Sequence, residues 1–176
     1  MARSRILEFY AEIASDHRGR SLQQQQAQSL SALESTHDYI QWLFPLPERS
    51  GASAHAPVLT PADIAAFRAS DALRARLVQS LAVMLRFYGL ESADTAAGIE
   101  IRRSPSFRER SDVWLTPFNH NFLRLTRILR SLSLLGCGAQ ARSLFACLEE
   151  IYREHYEIVS EETFEYWSRA VVAQPG

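Results

Sequence analysis

Lysine is missing altogether: all 19 basic residues of the 176-residue chain are arginine. An ammonium serves most surface positions as well as a guanidinium. The bias therefore reads as the mark of a GC-rich, bacterial-like genome and says little about function. Against 20 acidic residues the arginines leave a formal net charge of -1, which excludes a global field drawing the molecule onto nucleic acid or an acidic membrane. Cysteine is scarce. Cys137 and Cys147 have no CxxC partner, too few thiols for a structural zinc site or a disulfide framework, so both are expected reduced and packed. Nowhere does the chain carry the roughly 18 consecutive apolar residues that a membrane span needs. Its opening, MARSRILEFYAEIASDHRGR, lacks the apolar stretch of a signal peptide, and the expectation is a cytoplasmic protein. GxGxxG, the P-loop, HExxH and GxSxG are all absent. No catalytic residue, cofactor or metal is therefore expected, and a binding domain is favoured over an enzyme.

What is present is an ordinary globular balance of 47% hydrophobic and 22% charged residues, in a length suited to one domain with one core. Helical periodicity dominates. A first amphipathic segment covers residues 3–14, with Ile6, Phe9, Tyr10 and Ile13 on one face. A turn, SDHRGR, leads to a glutamine-rich helix that breaks near Ser29. The stretch HDYIQWLFPL then closes a helix that is apolar around most of its circumference, stopped by Pro45. After the loop PLPERSGASAHAP the run TPAD starts a helix, with Thr60 as N-cap, Pro61 in the first turn and Asp63 at the positive end of the dipole. A long helix follows, striped by Leu73, Leu77, Leu81, Met84, Leu85 and Tyr88, and Gly89 ends it as a left-handed cap. Three further helices are expected over residues 119–135, 139–156 and 160–172. The predicted fold is all-α: a single bundle-like domain over residues 1–176, of about seven helices, with one long irregular loop over residues 91–117.

Three blocks carry a family resemblance: HDYIQWLFPL, the run RLVQSLAVMLRFYGL from Arg76 to Leu90, and HNFLRLTRILRSLSLLG from His120 to Gly136. In this order they resemble the conserved region of opioid growth factor receptors, and the likeness covers roughly residues 6 to 136. It implies a domain-only member of that fold. The vertebrate members are receptors for the peptide Met-enkephalin, associated with the nucleus and its envelope, and carry a long C-terminal extension. The resemblance also implies that the segment between Trp114 and His120 is a few residues longer here.

Candidate sites follow from charge and spacing. Glu34 and His37 make one Glu-x-x-His pair, but no second pair exists and di-iron bundles need two, so His37 is read as a core histidine or a ligand contact. Trp42 is likewise core before it is pocket. On the helix from residue 119, His120, Arg124 and Arg127 fall at i, i+4 and i+7, with Asn121 beside them and Phe122, Leu125, Leu129 and Leu132 opposite. That polar line would suit a ligand with a carboxylate or phosphate, such as a peptide with a free C-terminus or a small anion. The loop ahead of it adds Arg102, Arg103, Arg108 and Arg110, a second candidate anion site. The alternative is internal pairing with the glutamates of the C-terminal helices. Nucleotide or nucleic-acid binding through these arginines is the runner-up function, opposed by the near-neutral charge. An enzyme without known motifs is the other.

Overall fold

The structure, a computed structural model, describes residues 4–51 and 53–172. The chain divides between Val83 and Met84 into two compact units. In the first, side-chain oxygens accept from the open N–H groups that begin the first three short helices. Ser4 caps α1 (Arg5–Tyr10), Ser21 and Gln24 form a reciprocal box on α2 (Leu22–Gln26), and Ser29 caps α3 (Leu30–Ser35). The glutamine run thus breaks where Ser29 suggests. The helix expected through HDYIQWLF, however, is interrupted. Thr36 turns extended with ψ 134° after α3, and helix resumes only over Ile40–Leu43 (α4). The connecting Asp38 faces Arg18 Nε at 2.6 Å and Arg20 Nη2 at 3.1 Å. These partners are distant in sequence, and no periodicity registers them.

Thr60 and Asp63 form the capping box of α5 (Pro61–Ala69), as TPAD predicts, and α6 (Asp71–Tyr88) follows. The core of this unit is HDYIQWLFPL and what meets it. Tyr39, Trp42, Leu43 and Phe44 are fully buried, together with Phe9, Tyr10, Leu33 and Phe67. Phe9 meets Trp42 edge-on at 5.0 Å, Tyr10 meets Phe67 at 4.9 Å, and the Tyr10 hydroxyl donates to the Leu43 carbonyl. Each such burial contributes about 1.5–3 kcal/mol.

The second unit corrects the predicted class: the fold is mixed α/β, not all-α. In place of an irregular loop over residues 91–117, β1 (Leu90–Thr95) and β2 (Gly98–Arg103) pair antiparallel from Leu90↔Arg103 to Thr95↔Gly98, and α7 covers Phe107–Trp114. The hairpin escaped the sequence reading because it buries so little. Leu90 and Ile101 are its buried residues, while Glu91, Asp94, Glu100 and Arg102 leave no apolar alternation. It is held to the unit by the Ile101 N–H, which donates to Ser143 Oγ at 2.7 Å. Ten helices are present among the described residues, rather than about seven.

The last three, α8 (Asn121–Leu134), α9 (Gly138–Glu154) and α10 (Glu161–Val172), start and stop within two residues of expectation. Aromatic rings cross the unit edge to face: Phe87–Tyr88 at 5.0 Å, Tyr88–Trp114 at 5.3 Å, Trp114–Phe122 at 6.5 Å and Phe122–Trp167 at 5.9 Å. Both indoles are satisfied, Trp114 Nε1 donating to the Tyr88 carbonyl at 3.0 Å and Trp167 Nε1 to that of Phe122 at 3.1 Å. Among the described residues no helix is long and apolar enough to cross a membrane.

Candidate functional site

Between Trp114 and α8 the chain turns a sharp corner organised by one side chain. Asn119 Nδ2 donates to the Val113 carbonyl at 3.1 Å and to Thr116 Oγ1 at 2.9 Å. Its Oδ1 accepts from the Asn121 N–H at 2.9 Å and from Asn121 Nδ2 at 3.0 Å. Asn119 thereby ties the end of α7 to the first residue of α8. One residue earlier the backbone is strained: Phe118 has φ +59°, a region L side chains seldom occupy. Its ring gains nothing from burial, since Phe118 is 102% exposed, and Leu123 in the first turn of α8 is 70% exposed. His120 lies between them, exposed, with no side-chain capping bond. Phe118 and Leu123 thus leave two large apolar side chains in solvent on either side of His120 in the chain, a candidate contact surface.

The residues singled out from sequence are distributed differently from the solvent-facing line that the spacing suggests. Asn121 is fully buried, and Arg124, only 6% exposed, donates from Nη1 to Asn121 Oδ1 at 3.1 Å. The line therefore begins in solvent at His120 and enters the interior at Arg124, with Arg127 half-buried beyond it. In the first unit, His37 is exposed in the link between α3 and α4, and its carbonyl accepts from Gln41 Nε2 at 3.3 Å. Trp42 is wholly enclosed. The Arg5 guanidinium lies 5.1 Å from its ring centre and the His17 ring lies parallel at 6.3 Å.

The four arginines of β2 and α7 share no partner among the described residues and do not converge on a common point. Arg102 pairs with Glu91 at 2.9 Å. Arg103 pairs with Glu154 of α9 at 2.8 Å and lies over the Phe107 ring, so a C-terminal glutamate does answer the basic hairpin. The hydrogen bond from Arg103 holds the Glu154 carboxyl below the usual carboxylate range. Arg110 donates to the Phe87 carbonyl at 2.8 Å. Arg108 is exposed, and its guanidinium alone of the four has no partner among the described residues. The thiols are packed: Cys137 and Cys147 are 3% and 4% exposed, and burial pushes the Cys147 thiol up to about 11.

Phe118, Asn119 and Leu123 were missed by the sequence reading. A cap-type Asn two positions before a helix was the available signal for Asn119. Leu123 is masked by the true core residues around it, Phe122 and Leu125.

The family described as the opioid growth factor receptor (OGFr) conserved region matches residues 4–175. The chain belongs to this family. It is 40% identical over 141 residues to the opioid growth factor receptor of Mus musculus, covering 79% of this chain and 22% of that protein. With the Homo sapiens receptor the identity is 38% over 141 residues, covering 79% and 20%. The opioid growth factor receptor-like protein 1 of Xenopus tropicalis is 40% identical over 104 residues, covering 59% and 20%. The chain thus spans only about a fifth of the length of these family members. They are vertebrate proteins and lend no support to the bacterial-like source suggested by the arginine bias. No solved structure matches the chain.

Proposed function

We propose that this chain is a non-enzymatic, receptor-like binding domain whose ligand is a peptide, and that the ligand docks on the corner formed by Phe118, His120 and Leu123. The observation that carries this reading is the strained, fully exposed Phe118 beside the exposed Leu123. Holding a bulky residue at positive φ costs about 1–3 kcal/mol. A ring kept in solvent at that cost suits an anchor whose burial awaits a partner. The names of the relatives, opioid growth factor receptors, support the peptide class, and we carry over no more than that class. His120 would meet a carboxylate of such a peptide, while Asn119 and the buried Asn121–Arg124 pair hold the corner in shape. The same reading takes residues 1–176 as one functional domain, because the family region runs from residue 4 to 175. It places the domain in the cytoplasm, where two free, buried cysteines are at home.

The test is an amide-shift titration with Met-enkephalin. The expected result is movement of the Phe118, Asn119, His120 and Leu123 amides, lost in Phe118→Ser and Leu123→Ser. Neither substitution should change stability by more than about 0.5 kcal/mol, as both side chains are exposed. No shift at millimolar peptide, or unchanged binding by both variants, overturns the proposal.

A further inference from the structure

The loop from Pro47 to Pro57, rich in serine and alanine, is absorbed by nothing described so far. Its two ends are pinned together: Leu46 and Val58 form a parallel bridge, and the Leu59 N–H donates to the Leu46 carbonyl at 3.0 Å. Within it, the Ala56 N–H donates to the Ser53 carbonyl at 3.3 Å, a tight turn. His55 extends the support outward. Its ring stacks on that of His17 at 5.0 Å and 17°, and His17 in turn lies parallel to the buried Trp42. The loop is therefore a closed, supported excursion from the core of the first unit, the kind of surface loop that frequently carries function.

A cleft of about 410 Å³ opens on this loop, lined by Arg49, Ser50, Ser53, Ala54, Ala56 and Val58. The volume lies within the range of about 300–1,000 Å³ found for small-ligand sites. The lining has two parts. Arg49 and Ser53 offer a guanidinium fork and a hydroxyl. Ala54, Ala56 and Val58 offer a small apolar wall. No carboxylate lines the cleft, and Arg49 has no ion-pair partner among the described residues. Most other arginines in this unit are committed: Arg18 to Asp38, Arg20 to Asp16, Arg74 to Asp71 and Arg76 to Glu12.

We infer that this cleft is an anion site for a phosphate monoester carrying a small apolar group. The guanidinium fork matches two phosphate oxygens bidentately. The Ser53 hydroxyl can donate to a third oxygen, which a carboxylate with only two oxygens lacks. The apolar wall then meets the organic substituent. The site draws on no residue of the peptide corner, and either reading can fail without the other.

Isothermal titration of the full chain at low salt, with phenyl phosphate, inorganic phosphate and acetate as probes, tests the inference. Phenyl phosphate is expected to bind tightest, inorganic phosphate more weakly and acetate weakest. Arg49→Gln should weaken phenyl phosphate by at least about tenfold, the scale of one charge-assisted hydrogen bond. A Ser53→Ala variant should weaken it less while melting like the wild type. Absence of heat with either phosphate at about 10 mM, acetate binding as tightly as phenyl phosphate, or unchanged affinity in Arg49→Gln would each overturn it.

Discussion

Gly89→Ala is the sharpest probe of how α6, the hairpin and α7 are joined. Gly89 has φ +74°, where an L side chain costs about 1–2 kcal/mol. Loss of unfolded-chain freedom returns about 0.4–1 kcal/mol. Conformation alone therefore predicts a loss of only about 1 kcal/mol. Space adds more. A methyl at this position would stand 2.7 Å from Phe107 Cα, 2.8 Å from Arg110 Cβ and 3.1 Å from the Phe107 nitrogen. Two of these three atoms are backbone, so α7 itself must move, at an overpacking cost of about 1–3 kcal/mol. The Gly89 carbonyl also accepts from the Ser104 N–H and hydroxyl, both at 2.9 Å, so a shift propagates to the end of β2. The sum is a loss of about 2–4 kcal/mol. Gly19 supplies the control, because its φ is +78° and an added methyl there would meet nothing within 4 Å. Gly19→Ala should lose only the conformational part, about 1 kcal/mol. Urea denaturation of both variants, followed by circular dichroism and indole fluorescence, measures the difference. If Gly89→Ala loses no more than Gly19→Ala, α7 is not seated against this corner and the steric reasoning fails.

Trp42→Ala should cost about 3–5 kcal/mol, because the indole is wholly enclosed by Phe9, His17 and its own helix. A variant that melts within a couple of degrees of wild type would show that the ring is not a core element. Burial raises the Cys147 thiol from 9.0 to about 11. The folded chain therefore keeps a proton that the unfolded chain releases, so this contribution is intact below pH 9 and is lost as pH rises from 9 towards 11. The loss should approach about 2–3 kcal/mol, and Cys147→Ala should flatten the fall. A constant gap between wild-type and variant urea midpoints from pH 8 to 10.5 would sink that assignment.

What was legible in the sequence was what short-range chemistry decides. Thr60 and Asp63 cap α5 through a box three residues wide, and Gly89 ends α6 through its own backbone freedom. The apolar face of α8 is settled by spacing alone, and Phe122, Leu125, Leu129 and Leu132 are all buried. Two errors in the fold trace to partners far along the chain. Asp38 is held by Arg18 and Arg20, and the helix expected across it gives way. The hairpin relies on Ser143, 42 residues beyond Ile101, and its own residues carry almost no strand pattern.

The candidate site illustrates the same division at the level of function. Periodicity groups His120, Arg124 and Arg127 on one side of α8, but periodicity measures angle around a helix and not depth along it. Only 6% exposed, Arg124 bonds to Asn121 instead of standing in solvent. A guanidinium so enclosed cannot be removed without losing its bond to the Asn121 amide oxygen, and the loss of such a buried bond costs about 1–3 kcal/mol. Arg124→Ala would consequently lower stability whether or not a ligand exists, and it cannot separate recognition from folding. Phe118 and Leu123 can, because their side chains meet mainly solvent. Recognition is best sought at the end of the helix where apolar surface is left over, and the buried arginine is best read as what holds that end in place.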